Sequence, residues 1–539
     1  MPISKGQILK LKHLRMSYPN SDEWTLDGIA LEINQGERIA LVGPSGCGKS
    51  TLAKVILQLL PSGSVCDGEF LLNKKDPRKF NKANLRRLRG GTVGLIFQDP
   101  MTRLNPLMTA GDHIVDTLQS HQKETQLHLQ KDKSKELLER VGIGSHRFKA
   151  YPHQLSGGMR QRLAIALAIA LKPQLIIADE PTTSLDMSVA NQVMGELTSL
   201  CKELNSALLL ISHDLAMAAR WCERIAILQK GQIVEEGNSK KILNYPQSTI
   251  GKRLVSAARE REGSIAPKPT NAKVILEITS LRCWHPFGGL PWAQKWIKAV
   301  NEVSFSLRSK ETLGIVGKSG CGKSTLCRAL IGLAPIRGGE IKLEGENIIN
   351  SQGKFLPKAR QALQMVFQDP NACLNPKMSI IEAISDPLLI HGLTTKLGAR
   401  ERSRELLEQV GLCPAEKYQN RFPKELSGGE QQRVVIARAL SLSPKILICD
   451  ESLSMLDAEI QAEILKLLRK LQLKLGLAII FVTHDLSIAT GFCHRIIVLD
   501  KGKIAEEGPG QELLDNPKAS ITQQLVEASP RLPSIELDP

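Results

Sequence analysis

The chain has 539 residues, enough for two to four domains each with a core of its own, and a formal charge of +16. With lysine and arginine dispersed along it, that charge fits a nucleic-acid partner, an anionic membrane surface or simply a solvated basic face. No apolar run reaches the roughly 18 residues that span a bilayer, the N-terminus lacks the apolar core of a secretion signal, and the eleven cysteines form no C-x-x-C pair, so they signal a reducing cytosol and neither a disulfide framework nor a zinc site.

In chain order, the first half opens with a strand-rich segment containing Tyr18. A buried strand, Ile39-Ala40-Leu41-Val42, follows and runs into Gly43-Pro44-Ser45-Gly46-Cys47-Gly48-Lys49-Ser50-Thr51. This stretch matches G-x-x-x-x-G-K-[ST]. Its glycines let backbone N–H groups curl against phosphate oxygens, and the helix expected from Leu52 points its positive end at the anion. Lys49 is placed to reach the outer phosphates of a nucleoside triphosphate and Ser50 to offer its hydroxyl to Mg²⁺. A strand at 94–97 leads to Gln98, an amide able to ligate Mg²⁺ and orient water. Leu155-Ser156-Gly157-Gly158 then opens an apolar helix with free N–H groups at its start. The strand Leu175-Ile176-Ile177-Ala178 ends in Asp179, suited to holding Mg²⁺ through water, and Glu180, suited to polarising an attacking water. The strand at 208–212 ends in His213, a candidate contact for the γ-phosphate or that water.

The same series recurs about 270 residues further on. Gly317-Lys318-Ser319-Gly320-Cys321-Gly322-Lys323-Ser324-Thr325 repeats the phosphate loop, with its helix expected from Leu326. Gln368, Ser427-Gly428-Gly429, Asp450-Glu451 and His484 repeat the rest. A near-constant offset over whole halves means two homologous domains, 1–257 and 274–528. They are joined by a charged, Pro-containing connector, 258–273, and followed by a Pro-rich tail, 529–539. Strands alternating with helices predict an α/β fold with a mainly parallel sheet core, an antiparallel portion and a helical insert in each half. The phosphate chemistry should gather at the carboxyl ends of the strands.

The phosphate loops, the Leu-Ser-Gly-Gly motifs and the Asp-Glu pairs together resemble the ATP-binding subunits of ABC transporters over nearly the whole chain. The resemblance implies two P-loop nucleotide-binding domains that associate head to tail and hydrolyse two ATP with Mg²⁺. One composite site would pair Lys49, Ser50, Gln98, Asp179, Glu180 and His213 with Ser427, Gly428 and Gly429. The other would pair Lys323, Ser324, Gln368, Asp450, Glu451 and His484 with Ser156, Gly157 and Gly158. Tyr18 lies where the family stacks an aromatic ring on adenine. The matching place in the second half is His285, beside Trp284, with seven extra residues before the loop, and either of the two could stack.

The segments Gln98 to Pro106 and Gln368 to Pro376 (Gln-Asp-Pro … Leu-Asn-Pro) are similar to the oligopeptide, dipeptide and nickel importer subfamily, in which this segment lies near the membrane subunits. That implies two permease subunits, a solute-binding protein and a place on the cytoplasmic face of the plasma membrane, with no nucleic acid. The subfamily's cysteine-rich C-terminal region and its His-Pro-Tyr are missing, so no iron–sulfur cluster is expected and a peptide cargo is less firmly implied. After Glu451, Ser452 and Met455 replace the Pro181 and Ser184 found after Glu180, a departure from the family pattern that makes unequal turnover of the two sites an expectation. The alternative is a soluble ABC-type translation factor, which would need a long charged helix between its domains. A DNA-repair ABC ATPase would need zinc-ligand cysteine pairs and long coiled-coil inserts.

Overall fold

The computed structural model describes residues 6–122, 124–183, 185–261, 272–287, 295–350, 355–356, 359–453 and 456–529. They divide into two compact units, the first ending at Ala258 and the second running from Arg259 to Ser529. The helix Thr249–Arg261 continues through the first four positions of the expected connector, so that segment starts helical. Residues 262–271 lie outside the described ones. Ser529, expected to begin a loose tail, is buried and donates its N–H to Leu525 O at 3.0 Å. The rest of that tail, 530–539, also lies outside the described residues.

Each unit is built on a six-stranded sheet. In the first the spatial order is Val93–Ile96, Leu175–Asp179, Ala207–Ser212, Arg38–Val42, Arg224–Gln229, Gln232–Asn238. All pairings are parallel except the last. The second unit repeats this as Leu363–Val366, Ile446–Asp450, Ala478–Thr483, Thr312–Val316, Arg495–Asp500, Lys503–Gly508. The parallel strands are mostly apolar because both sheet faces are covered, whereas the antiparallel edge strands Gln232–Asn238 and Lys503–Gly508 are polar and partly exposed. Along Arg38–Val42, Ala40 and Val42 face a core shared with the helices Ala110–His121, Gly157–Ile169 and Met187–Leu204. Ile39 and Leu41 face the opposite core, shared with the helix Lys49–Ile56 and the antiparallel sheet Leu26–Asn34, Gln7–Ser17, Val65–Leu72. The two-residue period of a strand thus sorts one segment into two cores.

The central strand of each sheet carries the phosphate loop at its carboxyl end, and the register sets what stands beside it. Val42 pairs with Ser212, and Asp179 with Ile211. Val316 pairs with Thr483, and Asp450 with Val482. The loop, the acidic pair and the histidine therefore leave one edge of the sheet together, as the parallel topology predicts.

Candidate active sites

Both phosphate-loop helices start three residues earlier than expected, Lys49–Ile56 and Lys323–Leu330, so the lysine, serine and threonine occupy the first helical turn. The preceding glycines make that start available. Gly46 and Gly48 have φ of 77° and 109°, and Gly320 and Gly322 have 79° and 111°, which is left-handed backbone. Gly43 is required for a different reason: a Cβ there would lie 2.2 Å from Leu228 O, and one at Gly317 would lie 2.4 Å from Leu499 O. Because the obstacle is sheet backbone, Gly43→Ala should destabilise the first unit by about 1–3 kcal/mol, read as a lowered urea midpoint. An unchanged midpoint would mean that the loop relaxes freely.

Lys49 is 6% exposed and Lys323 4%. Lys49 Nζ donates to Gly43 O at 2.7 Å and Pro44 O at 2.9 Å. Lys323 Nζ donates to Gly317 O at 2.8 Å and Lys318 O at 3.1 Å. The ammonium is thus held over the curl of its own loop, where a phosphate oxygen would meet it. Ser45, Cys47, Ser319 and Cys321 complete the loops, with both thiols buried and Cys47 N bonded to Pro44 O. Tyr18 lies on the phosphate-loop side, its hydroxyl 3.2 Å from Thr51 Oγ1. Thr325 stands in the equivalent helical turn.

The second unit's counterpart of Tyr18 is rearranged. The strand Val274–Pro286 continues past the point where the first hairpin ends, pairing Trp284 with Lys298, His285 with Ile297 and Pro286 with Trp296. The seven extra residues thus lengthen a hairpin. Lys298 Nζ sits 5.0 Å from the Trp284 ring centroid, which places Trp284 under a cation. His285 is half-buried on the neighbouring register position.

At the ends of the adjacent strands, Asp179 Oδ1 is buried with no hydrogen-bond partner among the described residues, while the Ser50 hydroxyl bonds to the carboxylate. Ser324 Oγ donates to Asp450 Oδ1 at 3.1 Å. Burial pushes both aspartates above their usual pKa against these hydrogen bonds, and the neighbouring glutamate adds to the rise. A buried carboxylate oxygen beside a serine hydroxyl is a donor set that suits a divalent cation with oxygen ligands.

Glu180 and Glu451 have φ of 46° and 45°, the left-handed region that a glutamate rarely adopts. The bonds Glu180 N to Ile211 O at 2.9 Å and Glu451 N to Val482 O at 3.0 Å hold that turn. It swings the Glu180 carboxylate into a cluster: Gln98 Nε2 donates to Oε2 at 2.7 Å, Thr183 Oγ1 donates to Oε2 at 3.1 Å, and His213 Nδ1 lies 3.1 Å from Oε1. Burial would raise the Glu180 pKa, but His213, Lys49 and Thr183 together outweigh it and hold the carboxyl below its usual value. The second cluster is looser. Gln368 Nε2 is 3.3 Å from Glu451 Oε2 and His484 Nδ1 is 3.9 Å from it, while Lys323 Nζ lies 3.4 Å from Oε1. Thr183 did not stand out in the sequence. A hydroxyl three positions after the acid, in a turn, is the signal that points to it.

Ser156 caps the helix Gly157–Ile169, accepting from Met159 N at 3.3 Å. Gly158 lets that helix pack closely, since a Cβ would lie 2.5 Å from Val189 Cγ1. Ser427 caps Gly428–Leu440 in the same way, but there the Glu430 carboxylate also accepts from Ser427 N at 2.8 Å and Oγ at 2.9 Å. Gly429 packs against Ile460. Both serines and the glycines after them, Gly157 and Gly428, are exposed.

A glycine-wrapped lysine, a Ser–Asp pair and a strained glutamate at one sheet edge define a phosphate-loop nucleoside triphosphatase, present here twice. Comparison with known proteins gives the family. The ABC transporter family model matches residues 26–183 and 300–454. The chain is 38% identical over 518 residues to the peptidoglycan transport ATP-binding protein YejF of Agrobacterium fabrum, covering 95% of this chain and 94% of that one. It is 34% identical to the glutathione import ATP-binding protein GsiA of Pectobacterium atrosepticum, covering 98% and 90%. An uncharacterized ABC transporter ATP-binding protein, YejF of Escherichia coli K12, is 38% identical over 97% of this chain and 99% of its own length. Among solved structures, the ATP-binding cassette MJ0796 bound to ADP and Pi matches with a TM-score of 0.39 and 29% identity, over 43% of this chain and 99% of that one. The chain belongs to the ABC transporter family, as an ATP-binding and ATP-hydrolysing subunit.

Proposed function

We propose that the chain is the motor of an importer for peptides or a related small solute, with two ATP sites that each use one unit's phosphate loop and the other unit's Ser-Gly-Gly edge. The observation that carries the ATPase part is the convergence, in each unit, of the buried lysine, the Ser–Asp pair and a glutamate held in left-handed backbone. The importer part rests on the full-length relatives, whose names specify peptidoglycan transport and glutathione import. They favour this reading over a translation factor acting on ribosomes.

In this reading Ser50 with Asp179, and Ser324 with Asp450, hold Mg²⁺, which when bound offsets charge on the transferring phosphoryl group. Gln98 and Gln368 keep their amide oxygen for that ion while the amide nitrogen restrains the glutamate. Glu180 and Glu451 take the proton from the attacking water, and His213 and His484 orient the glutamate and the outgoing phosphate. Tyr18, and His285 or Trp284 in the second unit, bear on the adenine. Ser156, Gly157 and Gly158, with Ser427, Gly428 and Gly429, present helix-start N–H groups to the γ-phosphate of the facing site. The domain boundaries 1–257 and 274–528 belong to the same reading. No helix among the described residues is long and apolar enough to cross a membrane. The membrane path is therefore assigned to two separate permease subunits, served by a solute-binding protein, with this chain peripheral on their cytoplasmic side and no iron–sulfur cluster. Their docking place in the second unit is a groove of about 310 Å³ lined by Arg360, Phe367, Asp386, His391, Val435 and Arg438, directly before Gln368.

The test is co-expression with the neighbouring permease genes. Expected are co-purification with the membrane and ATP turnover stimulated by solute-loaded binding protein. Co-sedimentation with ribosomes in place of membranes would sink the reading.

A further inference from the structure

The basic character of the chain is more concentrated than its overall dispersion suggests. Residues 74–89 hold eight lysines and arginines against one carboxylate, Asp76. Two of the eight serve the fold. Arg78 binds Asp76 and donates to Gly68 O at 2.9 Å and Cys66 O at 3.3 Å, while Arg89 donates to Leu57 O at 3.0 Å and to Gln58 O. The other six, Lys74, Lys75, Lys79, Lys82, Arg86 and Arg87, are exposed and make no ion pair among the described residues.

Local structure lays them out as one strip. Asn73 and Lys74 turn with φ of 49° and 63°, Asp76 caps the turn Pro77–Lys79, and Asn81 caps the helix Lys82–Arg86, accepting from Asn84 N at 2.9 Å. That helix buries none of its residues, so packing does not account for what its outer face carries. The matching segment of the second unit is far less basic: positions 344–361 hold three basic and two acidic residues, and Glu344 is paired with Lys445.

The strip also has a defined place. It leads through residues 87–92 into the sheet-edge strand Val93–Ile96, just before Gln98. Gly90 lies against His121, with a Cβ there 3.3 Å from Nε2, and Arg86 is near enough to join burial in lowering the His121 pKa. In the second unit the counterparts of Gly90 and His121 by the repeat offset are Arg360 and His391, which line the groove assigned to the permease. The strip therefore leads directly to the first unit's counterparts of two residues that line that groove.

We propose that the strip 74–87 rests on the anionic phospholipid headgroups around the permease, a contact made by the first unit alone. It takes the membrane from the reading above. Within the strip Phe80 packs against the core, which leaves no exposed ring for stacking unpaired bases. With no exposed large apolar side chain either, the strip is suited to lying on charged headgroups rather than inserting between them.

The experiment uses the full chain with vesicles of phosphatidylcholine alone or with about 30% phosphatidylglycerol, at about 0.1 M salt. Two variants with the same charge change are compared: K79Q/K82Q/R86Q/R87Q in the strip, and K240Q/K241Q/K470Q/K474Q elsewhere on exposed positions. Expected is binding of the wild type to the anionic vesicles only, weakened about tenfold or more in the strip variant and less than about twofold in the other. Equal losses in both variants, no loss in the strip variant, or tighter binding of the wild type to RNA than to vesicles would overturn the proposal. ATP hydrolysis should be unchanged in both variants. Since vesicle binding is read without permease, its failure is distinct from a failure of the importer reading.

Discussion

Glu180→Gln and Glu451→Gln should each slow hydrolysis at its own site by roughly 10²–10⁴-fold, the usual contribution of a positioned proton acceptor, while ATP stays bound. The substitution keeps the shape of the side chain and removes only its ability to take a proton. The Gln98 and Thr183 contacts at 2.7 and 3.1 Å can hold an amide in place of the Glu180 carboxylate. The two variants should differ in nucleotide affinity. Glu451→Gln removes an ion pair with Lys323 at 3.4 Å, whereas the Glu180 carboxylate is bonded by Gln98 and Thr183 and faces His213. Because the Glu180 carboxyl is held below its ordinary value, it is ionised at neutral and mildly acidic pH. An acid limb near pH 6 in the Glu451→Gln background would therefore belong to another group. Trapped nucleotide per chain and single-turnover rates provide the check, and a doubly substituted protein that hydrolyses ATP at the wild-type rate would remove both glutamates from the mechanism.

Lys49→Ala and Lys323→Ala should each abolish tight nucleotide binding at one site, with a loss of about 2–4 kcal/mol, roughly 30- to 1,000-fold in affinity. The effect is large because the ammonium is buried and already aimed by two carbonyls of its own loop, so little ordering is left for the ligand to impose. Calorimetry with a non-hydrolysable ATP analogue should show two sites in the wild type and one in either variant. Retention of two sites of unchanged affinity in Lys49→Ala would contradict the assignment. The Lys323 variant should also free Glu451 from its ion pair, so its remaining defects need not mirror those of Lys49→Ala.

Much of this was legible in the residues. The phosphate loops, the Asp-Glu pairs and the Ser-Gly-Gly helix starts are short-range patterns whose chemistry depends on neighbours within a few positions. The central sheet strands, apolar on nearly every residue before their carboxyl ends, could only be doubly covered. Helix starts were less legible: Lys49 and Lys323 are helical because left-handed glycines, Gly48 and Gly322, set the preceding backbone, and periodicity does not report that. The helical start of the connector was not legible, because Ala258 to Arg261 carry charge and small residues that a helix tolerates as well as a linker does.

The sequence by itself determined the duplication, the fold class and the candidate groups for phosphate, since each lies in a local pattern repeated at one offset. Only the tertiary structure decided how those groups engage. The left-handed turn at Glu180 and Glu451, the tight cluster in one unit and the lysine-paired glutamate in the other, and the lengthened hairpin carrying His285 all depend on strands far apart in sequence. The reason is physical: the pairing register across the sheet, Asp179 with Ile211 and Asp450 with Val482, sets angles and distances that no spacing along the chain encodes.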